Sequence, residues 1–554
     1  MKRNIIILMA MMLAMQLNAT VDGTYKSIAS EYTLGTDGSI TQRVSKVLKY
    51  NTHHSFFKLF GETFVIYNPE YQKVKVDTSY TIQKDGTIIK TPANAFNYVL
   101  PSMAAKAPDY NKLTELVITH TGLELGATAY LEYTITTEAG AYNCLDIDET
   151  IGVQGADIDK YQVIVNIPEG TALRWSLTDS KVKPTIKGGK YTWTFTGIKS
   201  AKGEANTPYS YGGVPHLAAT TARTLADNLM PLTIETRDLR RTPSEYLKNA
   251  KSDRERVDAI QKYIVSGLAN CGVKPYHTAN CVRQCGRVME TAYGTEAEKA
   301  LAMAKLMRAE GLQAKAAVVY PTAQDVKTLR NVAEYCVYWE GLLLSVQKTG
   351  ESPLMWRGDR YTVCDLAGEN LELPYKKTEI TLSAKSEISK QKVTTEAEYS
   401  VKPQRNVTKK ENINNKFSEE KKGLEENNGY ITYTLPSPAP RSVDTWGMRK
   451  LGKERNAAFE IPYTVNEKCE YELTLNGVTS VTKSVQKSLK NSVGSVNISI
   501  ENKDGKIVVK RSIELNTSII PANKYKEFLT IMRLWNNDNM RKVILKKINI
   551  ILSR

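Results

Sequence analysis

The chain has 554 residues, 41% of them hydrophobic and 24% charged, which excludes wholesale disorder and exceeds what one core can organise. Its formal net charge is +16. No compact cluster of Lys and Arg with interleaved aromatics is present, so nucleic acid is excluded as a partner, and the basic balance is read as that of an exported protein near an anionic envelope surface.

Residues 1–19 read as a secretory signal peptide. Lys2 and Arg3 precede an apolar run over 5–17 that only Gln16 interrupts, and Leu17-Asn18-Ala19 offers a small-residue cleavage site. The run is shorter than the roughly 20 residues a bilayer span needs. No cysteine follows it, so no lipid anchor is expected, and no later stretch is apolar enough for a membrane span. The mature protein is expected to be exported, periplasmic or extracellular, in the cell envelope.

Residues 20–225 alternate and turn as an N-terminal β-sandwich domain. Asp37-Gly38 and Asp85-Gly86 stand between alternating runs such as 79–83 and 87–90, a strong hairpin signal. Further strands are expected at 130–136 and 161–167, with Trp193 and Phe195 on one face after the Gly188-Gly189 turn. The abundance of Tyr (30) over Phe (9) suits half-exposed strands.

Helical periodicity begins near Pro243 and marks a second unit, 226–375. Ser252 with Glu255 forms a capping box before Val257, Ile260, Ile264 and Leu268 at helical spacing, and Thr295 with Glu298 opens the next helix, which Gly311 ends. Strands are expected at 314–320, 334–339 and 360–364. From 376 to 554 the pattern returns to β, with a polar, solvated loop or insertion at 402–428. Strands follow at 430–435, 471–475, 496–500 and 507–510, with Asp504-Gly505 turning the last pair. A short helix over 524–535 and a strand near 541–545 finish the unit.

Chemistry concentrates in the segment 293–311, which reads like the central helix of a cysteine-protease-like or transglutaminase-like domain. Such a site places a thiolate at the helix N-terminus and takes a His and an Asp from later strands. Here the thiol position holds Glu296, and no histidine occurs after His277. Glu334 or Tyr335 stands about where the imidazole would be wanted, and neither replaces a base poised near neutral pH. Asp365 reads either as a remnant triad acid or as a turn-forming Asp. An acid in the first turn of a helix is favoured by the helix dipole, so Glu296 needs no function. A glycosidase pair of Glu296 and Asp365 is disfavoured because nothing nearby supplies a sugar-stacking cleft. An imidazole from the first half, His216 or His277, docked against an accessible thiol would restore chemistry; His53 and His54 read as surface or half-buried strand residues.

The cysteines offer disulfides more readily than metal. Cys271, Cys281 and Cys285 cluster around His277, but no Cys-x-x-Cys is present, and an exported chain favours a disulfide, with Cys271 bonding one of the other two. Cys281 and Cys285 would share a helix face. Cys336 and Cys364 sit on strands expected to neighbour each other, where a cross-strand bond is possible. No metal or cofactor is expected.

The segments Gly61 to Pro69, Asp85-Gly86 with 91–97 and Leu100-Pro101, and Thr119 to Gly126 closely resemble a domain of unknown function that opens a family of exported bacterial proteins. The resemblance implies a transglutaminase-like core, whose usual Gly-Asp-Cys-Lys-Asp-Lys-Ala is answered by Gly294-Thr-Glu-Ala-Glu-Lys-Ala300, and a C-terminal β-domain. The C-terminal part is similar through 430–436, Trp446, Leu451, Arg455, Ile461-Pro462 and 467–471. Carried over by position, the thiol becomes Glu296, the imidazole falls near Glu334 or Tyr335, and only the acid, Asp365, matches. The expectation is a multidomain α+β protein: a β-sandwich, a papain/transglutaminase-like α+β core and a C-terminal β-sandwich. The expected function is that of a non-catalytic envelope protein that binds a peptide, glycan or protein partner. The rival is a hydrolase or acyltransferase of envelope peptides using a rearranged Cys or carboxylate site.

Overall fold

A computed structural model describes residues 21–548 apart from 58–59, 201–202, 209–212, 234–241, 357–359, 374–376, 403–414, 423, 425, 440, 449–450 and 504. The expected signal peptide, much of the polar insertion and Asp504 of the last turn lie outside the described residues. The chain is mostly β-strand, with few helices, and builds several sheets in more than one domain.

The N-terminal unit is an eight-stranded sheet in the order Thr185–Lys187, Lys190–Ile198, Ala156–Asn166, Gly23–Leu34, Ile40–Tyr50, Thr128–Thr137, Gln72–Ile82 and Ile88–Lys90. Strand alternation puts Ile28, Val44, Leu131, Tyr133, Val163 and Trp193 on one buried face. Two three-stranded sheets cover that face. One (Glu62–Tyr67, Thr114–Thr119, Phe96–Val99) packs Val65, Leu116 and Ile118 on Val44, Leu131 and Tyr133. The other (Arg174–Thr178, His216–Thr220, Asp146–Thr150) packs Ile147, Leu217 and Ala219 beside Ile28, Val163 and Trp193. Each fully buried side chain of this kind stabilises the unit by about 1.5–3 kcal/mol before entropy is counted. The Asp-Gly turns form as the sequence predicts, with Gly38 and Gly86 at φ 87° and 90°, a conformation that favours glycine.

The middle unit pairs helices Asp253–Gly267, Cys285–Thr291 and Glu296–Ala309 with an antiparallel sheet ordered Leu342–Ser345, Glu334–Trp339, Ala314–Pro321, Tyr361–Asp365, Asn370–Leu371. Both capping boxes are present, Ser252 with Glu255 and Thr295 with Glu298, and Gly311 follows the C-cap at φ 80°. The third helix carries Ala300, Met303, Ala304, Leu306 and Met307 into the core. A short helix, Leu225–Leu229, precedes the expected start of helical structure.

The C-terminal unit repeats the connectivity of the first: the opening strand of a hairpin, Thr378–Ser389, lies parallel to a distant strand, Val465–Asn476, as Gly23–Leu34 lies parallel to Ala156–Asn166. Helix Tyr525–Trp535 buries Phe528, Ile531, Met532 and Trp535 against this sheet. Within 402–428, expected as a loop, Asn415–Lys422 is instead an edge strand paired with Lys392–Lys402, because its polar side chains need no second sheet to cover them. The units are joined by ion pairs: Arg360 with Glu460, and Arg455 with Glu204 at 3.5 Å. No helix among the described residues is long and apolar enough to cross a membrane.

Candidate functional site

Thr295 caps the central helix and Glu296 is its first residue, so the carboxylate sits where the unpaired amides and the dipole favour negative charge. The Glu296 side chain is only 14% exposed and pairs with Lys274 Nζ at 3.3 Å. Burial pushes its pKa above the ordinary carboxylate range; Lys274 opposes the shift, Glu334 adds to it, and the Tyr335 amide favours the ionised form. Glu334 accepts a 2.5 Å hydrogen bond from Ser352 Oγ. Tyr335 is buried with a hydroxyl that meets no partner, and burial followed by the Glu296 charge raises its pKa. Glu296, Glu334 and Tyr335 therefore share one environment, acidic and balanced by Lys274.

Asp365 does not join them. The strand bearing Glu334 is flanked by Ala314–Pro321 and Leu342–Ser345, and Asp365 lies beyond the first of these, two strand spacings or roughly 10 Å across the sheet. Its Oδ1 accepts from the Ala367 and Glu369 amides and its Oδ2 from Lys315 Nζ at 2.7 Å, so it builds the turn after its strand. An acid able to orient a base at 334 would come from the hairpin partner near 345–347, where the chain has Ser345, Val346 and Gln347.

The imidazoles sit elsewhere. His277 is half-buried, its Nδ1 accepts from the Lys274 amide at 3.3 Å, and desolvation with nearby Arg330 lowers its pKa to about 4, so it is neutral at pH 7. His216 Nδ1 bonds the Val214 carbonyl at 2.8 Å. His53 and His54 lie exposed on a 3-10 turn rather than a strand.

All seven cysteines are free thiols, which corrects the disulfide expectation. Cys336 and Cys364 are on strands separated by Ala314–Pro321, and they pair with Ala317 and Val318, consecutive residues whose side chains leave opposite sheet faces. Cys281 precedes the helix that Cys285 begins, so the two do not share a helix face. Cys271 Sγ faces the Met103 carbonyl at 3.7 Å. Burial raises the pKa of Cys144, Cys271, Cys336, Cys364 and Cys469, so they are not activated nucleophiles. Alkylation of the native protein is expected to modify exposed Cys281 first and the buried thiols only on unfolding. A thiol that reacts tenfold faster than free cysteine at pH 7 would contradict this.

Glu298, which the sequence reading placed only in the capping box, and Arg283 and Lys299, which it passed over, organise the site. Glu298, buried at the third helical position, accepts from the Arg283 amide, Nε and Nη2, each at 2.9 Å, and from the Tyr110 hydroxyl. Arg283 lies 4.1 Å over the Tyr293 ring and 5.1 Å over Tyr110, and reaches Asp109 at 2.7 Å. The N-terminal unit thus clamps the helix start through Asp109 and Tyr110. Lys299 is fully buried, donating to the Leu268 carbonyl at 3.1 Å and to Asn270 Oδ1 at 2.6 Å, which ties the central helix to the end of Asp253–Gly267. Burial lowers its pKa to about 8, against a smaller upward pull from Glu296. The signal available for Lys299 was its place on the stripe of Met303 and Leu306, where a lysine is out of pattern. Among the described residues no group of three or more His, Cys, Asp or Glu is placed to hold a metal ion.

Comparison with known proteins gives the following relations. Residues 36–202 match the family model of a domain of unknown function with a solved structure (DUF3857), and residues 428–545 match that of a second (DUF3858). No curated protein matches the chain. A crystal structure of a protein described as a "putative protease" from Parabacteroides distasonis superposes with TM-score 0.75 at 29% identity, over 95% of this chain and 100% of that one. A two-domain M1 zinc metallopeptidase mutant bound to L-arginine aligns over 52% of this chain and 72% of its own at 10% identity and TM-score 0.18. An M1 zinc metallopeptidase mutant from Deinococcus radiodurans gives the same values. Overlap at that level carries no argument about fold or chemistry. The chain therefore carries two domains of unknown function on either side of its helix-bearing unit, and it shares its architecture with the Parabacteroides protein.

Proposed function

We propose that the middle unit is a transglutaminase-like core, spanning about 226–375 between β-domains at 20–225 and 376–554, that has lost its reaction. On this reading the chain is an exported envelope protein that binds a peptide, glycan or protein partner. The observation that carries it is Glu296 at the helix position of the nucleophile, ion-paired with Lys274 and neighboured by Glu334 and Tyr335 instead of an imidazole. A carboxylate held by an ammonium group is a poor attacking group, and a buried tyrosine with a raised pKa stays protonated near pH 7 and accepts no proton there. The charged, part-buried cluster instead suits recognition of a ligand bearing amide and ammonium groups.

One observation favours a second reading, a hydrolase of envelope peptides: the Parabacteroides protein of the same architecture is described as a "putative protease". One substitution separates the two. Glu296→Gln removes the charge and keeps the shape. Because burial raises the Glu296 pKa, the ionised form opposes folding above the ordinary carboxylate range, and the variant should match or slightly exceed the parent in stability at pH 7. Incubated with amine donors and with glutamine-bearing or peptidoglycan-derived peptides, parent and variant should both show no turnover, while calorimetric titration with the peptides should show binding. Turnover by the parent that Glu296→Gln abolishes would establish the enzyme instead.

A further inference from the structure

Seven strands of the C-terminal unit form one sheet in the order Asn415–Lys422, Lys392–Lys402, Thr378–Ser389, Val465–Asn476, Lys506–Leu515, Gly494–Lys503 and Val485–Lys490. Alternate residues turn inward, where Leu382, Cys469 and Ile498 are buried, and those between them turn outward. The outer face holds a trough of about 850 Å³, a volume within the range of ligand sites. It runs across the strands rather than along them. One row of its outward residues is, by register, Ser400, Thr381, Lys468, Ser512, Asn497 and Ser488. Six neighbouring strands make that row about 24 Å long. No apolar or aromatic side chain points outward in this row or in the adjoining one, which holds Ser383, Ser499 and Gln486.

Hydrogen-bonding capacity in the trough is left open. Among the described residues, the side chains of Thr381, Ser383, Ser400, Ser499 and Gln486 meet no partner in the protein. The two carboxylates of the adjoining row are already neutralised, Glu398 by Lys416 at 3.3 Å and Glu470 by Lys510 at 3.4 Å. Lys468 is exposed, makes no ion pair among the described residues and stands between Thr381 and Ser512. An ammonium group between two hydroxyls is a seat for a carboxylate. The row beyond Glu398 and Glu470 is acidic on balance, with Glu396, Glu472 and Glu501 against Lys385, and it opposes a densely charged polyanion. A peptide gains little here, because the backbone groups of the inner strands are already paired in the sheet and no apolar pocket receives its side chains. We propose that the trough binds an extended glycan whose carboxylates are spaced by neutral sugars. One carboxylate rests on Lys468, and the sugar hydroxyls meet the open serine, threonine and glutamine side chains. The site belongs to a different unit from Glu296 and stands whether or not that cluster binds a ligand.

Calorimetric titration of the full chain with fragments of hyaluronan and of gellan, whose uronates are separated by neutral sugars, tests the site. At least one should bind, and chitohexaose and poly-L-glutamate should bind about tenfold more weakly or not at all. Lys468→Gln should weaken binding about tenfold. Thr381→Val, which removes one hydroxyl at constant charge and shape, should weaken it about threefold. Lys385→Gln, an equal change of charge on the same face outside the trough, should bind as the parent does. All three positions are exposed, so thermal melting should be unchanged. No binding of either uronate polymer, equal binding of chitohexaose or poly-L-glutamate, full binding by Lys468→Gln, or equal loss with Lys385→Gln overturns the proposal.

Discussion

Replacing Arg283 with Met is expected to loosen the start of the central helix by ~3–5 kcal/mol, the range seen when one partner of a buried ion pair is removed. The Glu298 side chain has no exposure to water and Arg283 supplies three of its hydrogen bonds. The backbone amide of residue 283 survives the substitution, as do the Thr295 amide and the Tyr110 hydroxyl, but no cation remains to balance the carboxylate. The lost guanidinium also leaves Tyr110 and Tyr293 without the plane they enclose. Arg287 provides the contrast: it bonds the same Asp109 but is 53% exposed, and Arg287→Ala should leave exchange at the helix start close to the parent's. Unfolding of a chain with several units is not a single transition, so the measurement is local: deuterium exchange in peptides spanning 293–309, read as an opening free energy. Adding Glu298→Gln to Arg283→Met should recover part of the loss, because the unpaired charge is gone. Exchange that stays as slow as in the parent would mean the ion pair does not hold the helix.

The sequence exposed what depends on neighbours along the chain and hid what depends on neighbours in space. Hairpins at Asp37-Gly38 and Asp85-Gly86 and the capping boxes at Ser252 and Thr295 are local patterns, and they form where the residues predict. Glu296, Glu334 and Tyr335 were placed together by the order of a helix and two strands, which a resemblance conveys well. Asp365 was misplaced because its distance from Glu334 depends on Ala314–Pro321 lying between their strands, and strand order leaves no mark on spacing. The same intervening strand separates Cys336 from Cys364. Arg283 looked like one more basic residue in a basic chain, since its partners Asp109 and Tyr110 are some 170 positions away.

Lys299 supplies the other large effect, and its sign follows from burial. The folded-state pKa is lowered to about 8, whereas an unfolded lysine titrates near 10.4. Below pH 8 both states hold the proton and the fold carries the full penalty of a buried ammonium group. Between about pH 8 and 10.4 the unfolded state binds more protons, so stability rises with pH by up to ~3 kcal/mol and then levels off. Lys299→Met keeps the length of the side chain, removes the titration and leaves the Leu268 carbonyl and Asn270 Oδ1 without their donor. At pH 7 these changes oppose one another and the two proteins should be close in stability; at pH 10 the parent should be the more stable by ~2–3 kcal/mol. Buried tyrosines and cysteines with raised pKa values pull the other way as pH rises, but they are common to both proteins and cancel in the difference. A difference in the opening free energy of the central helix, read by deuterium exchange, that stays flat from pH 7 to 10 would show that the amine is hydrated. The same measurement reports on Glu296, which lies one helical turn away and pulls the Lys299 pKa upward, so Glu296→Gln should start the rise at lower pH. The charge at the start of the central helix would then be read out through the lysine one turn behind it.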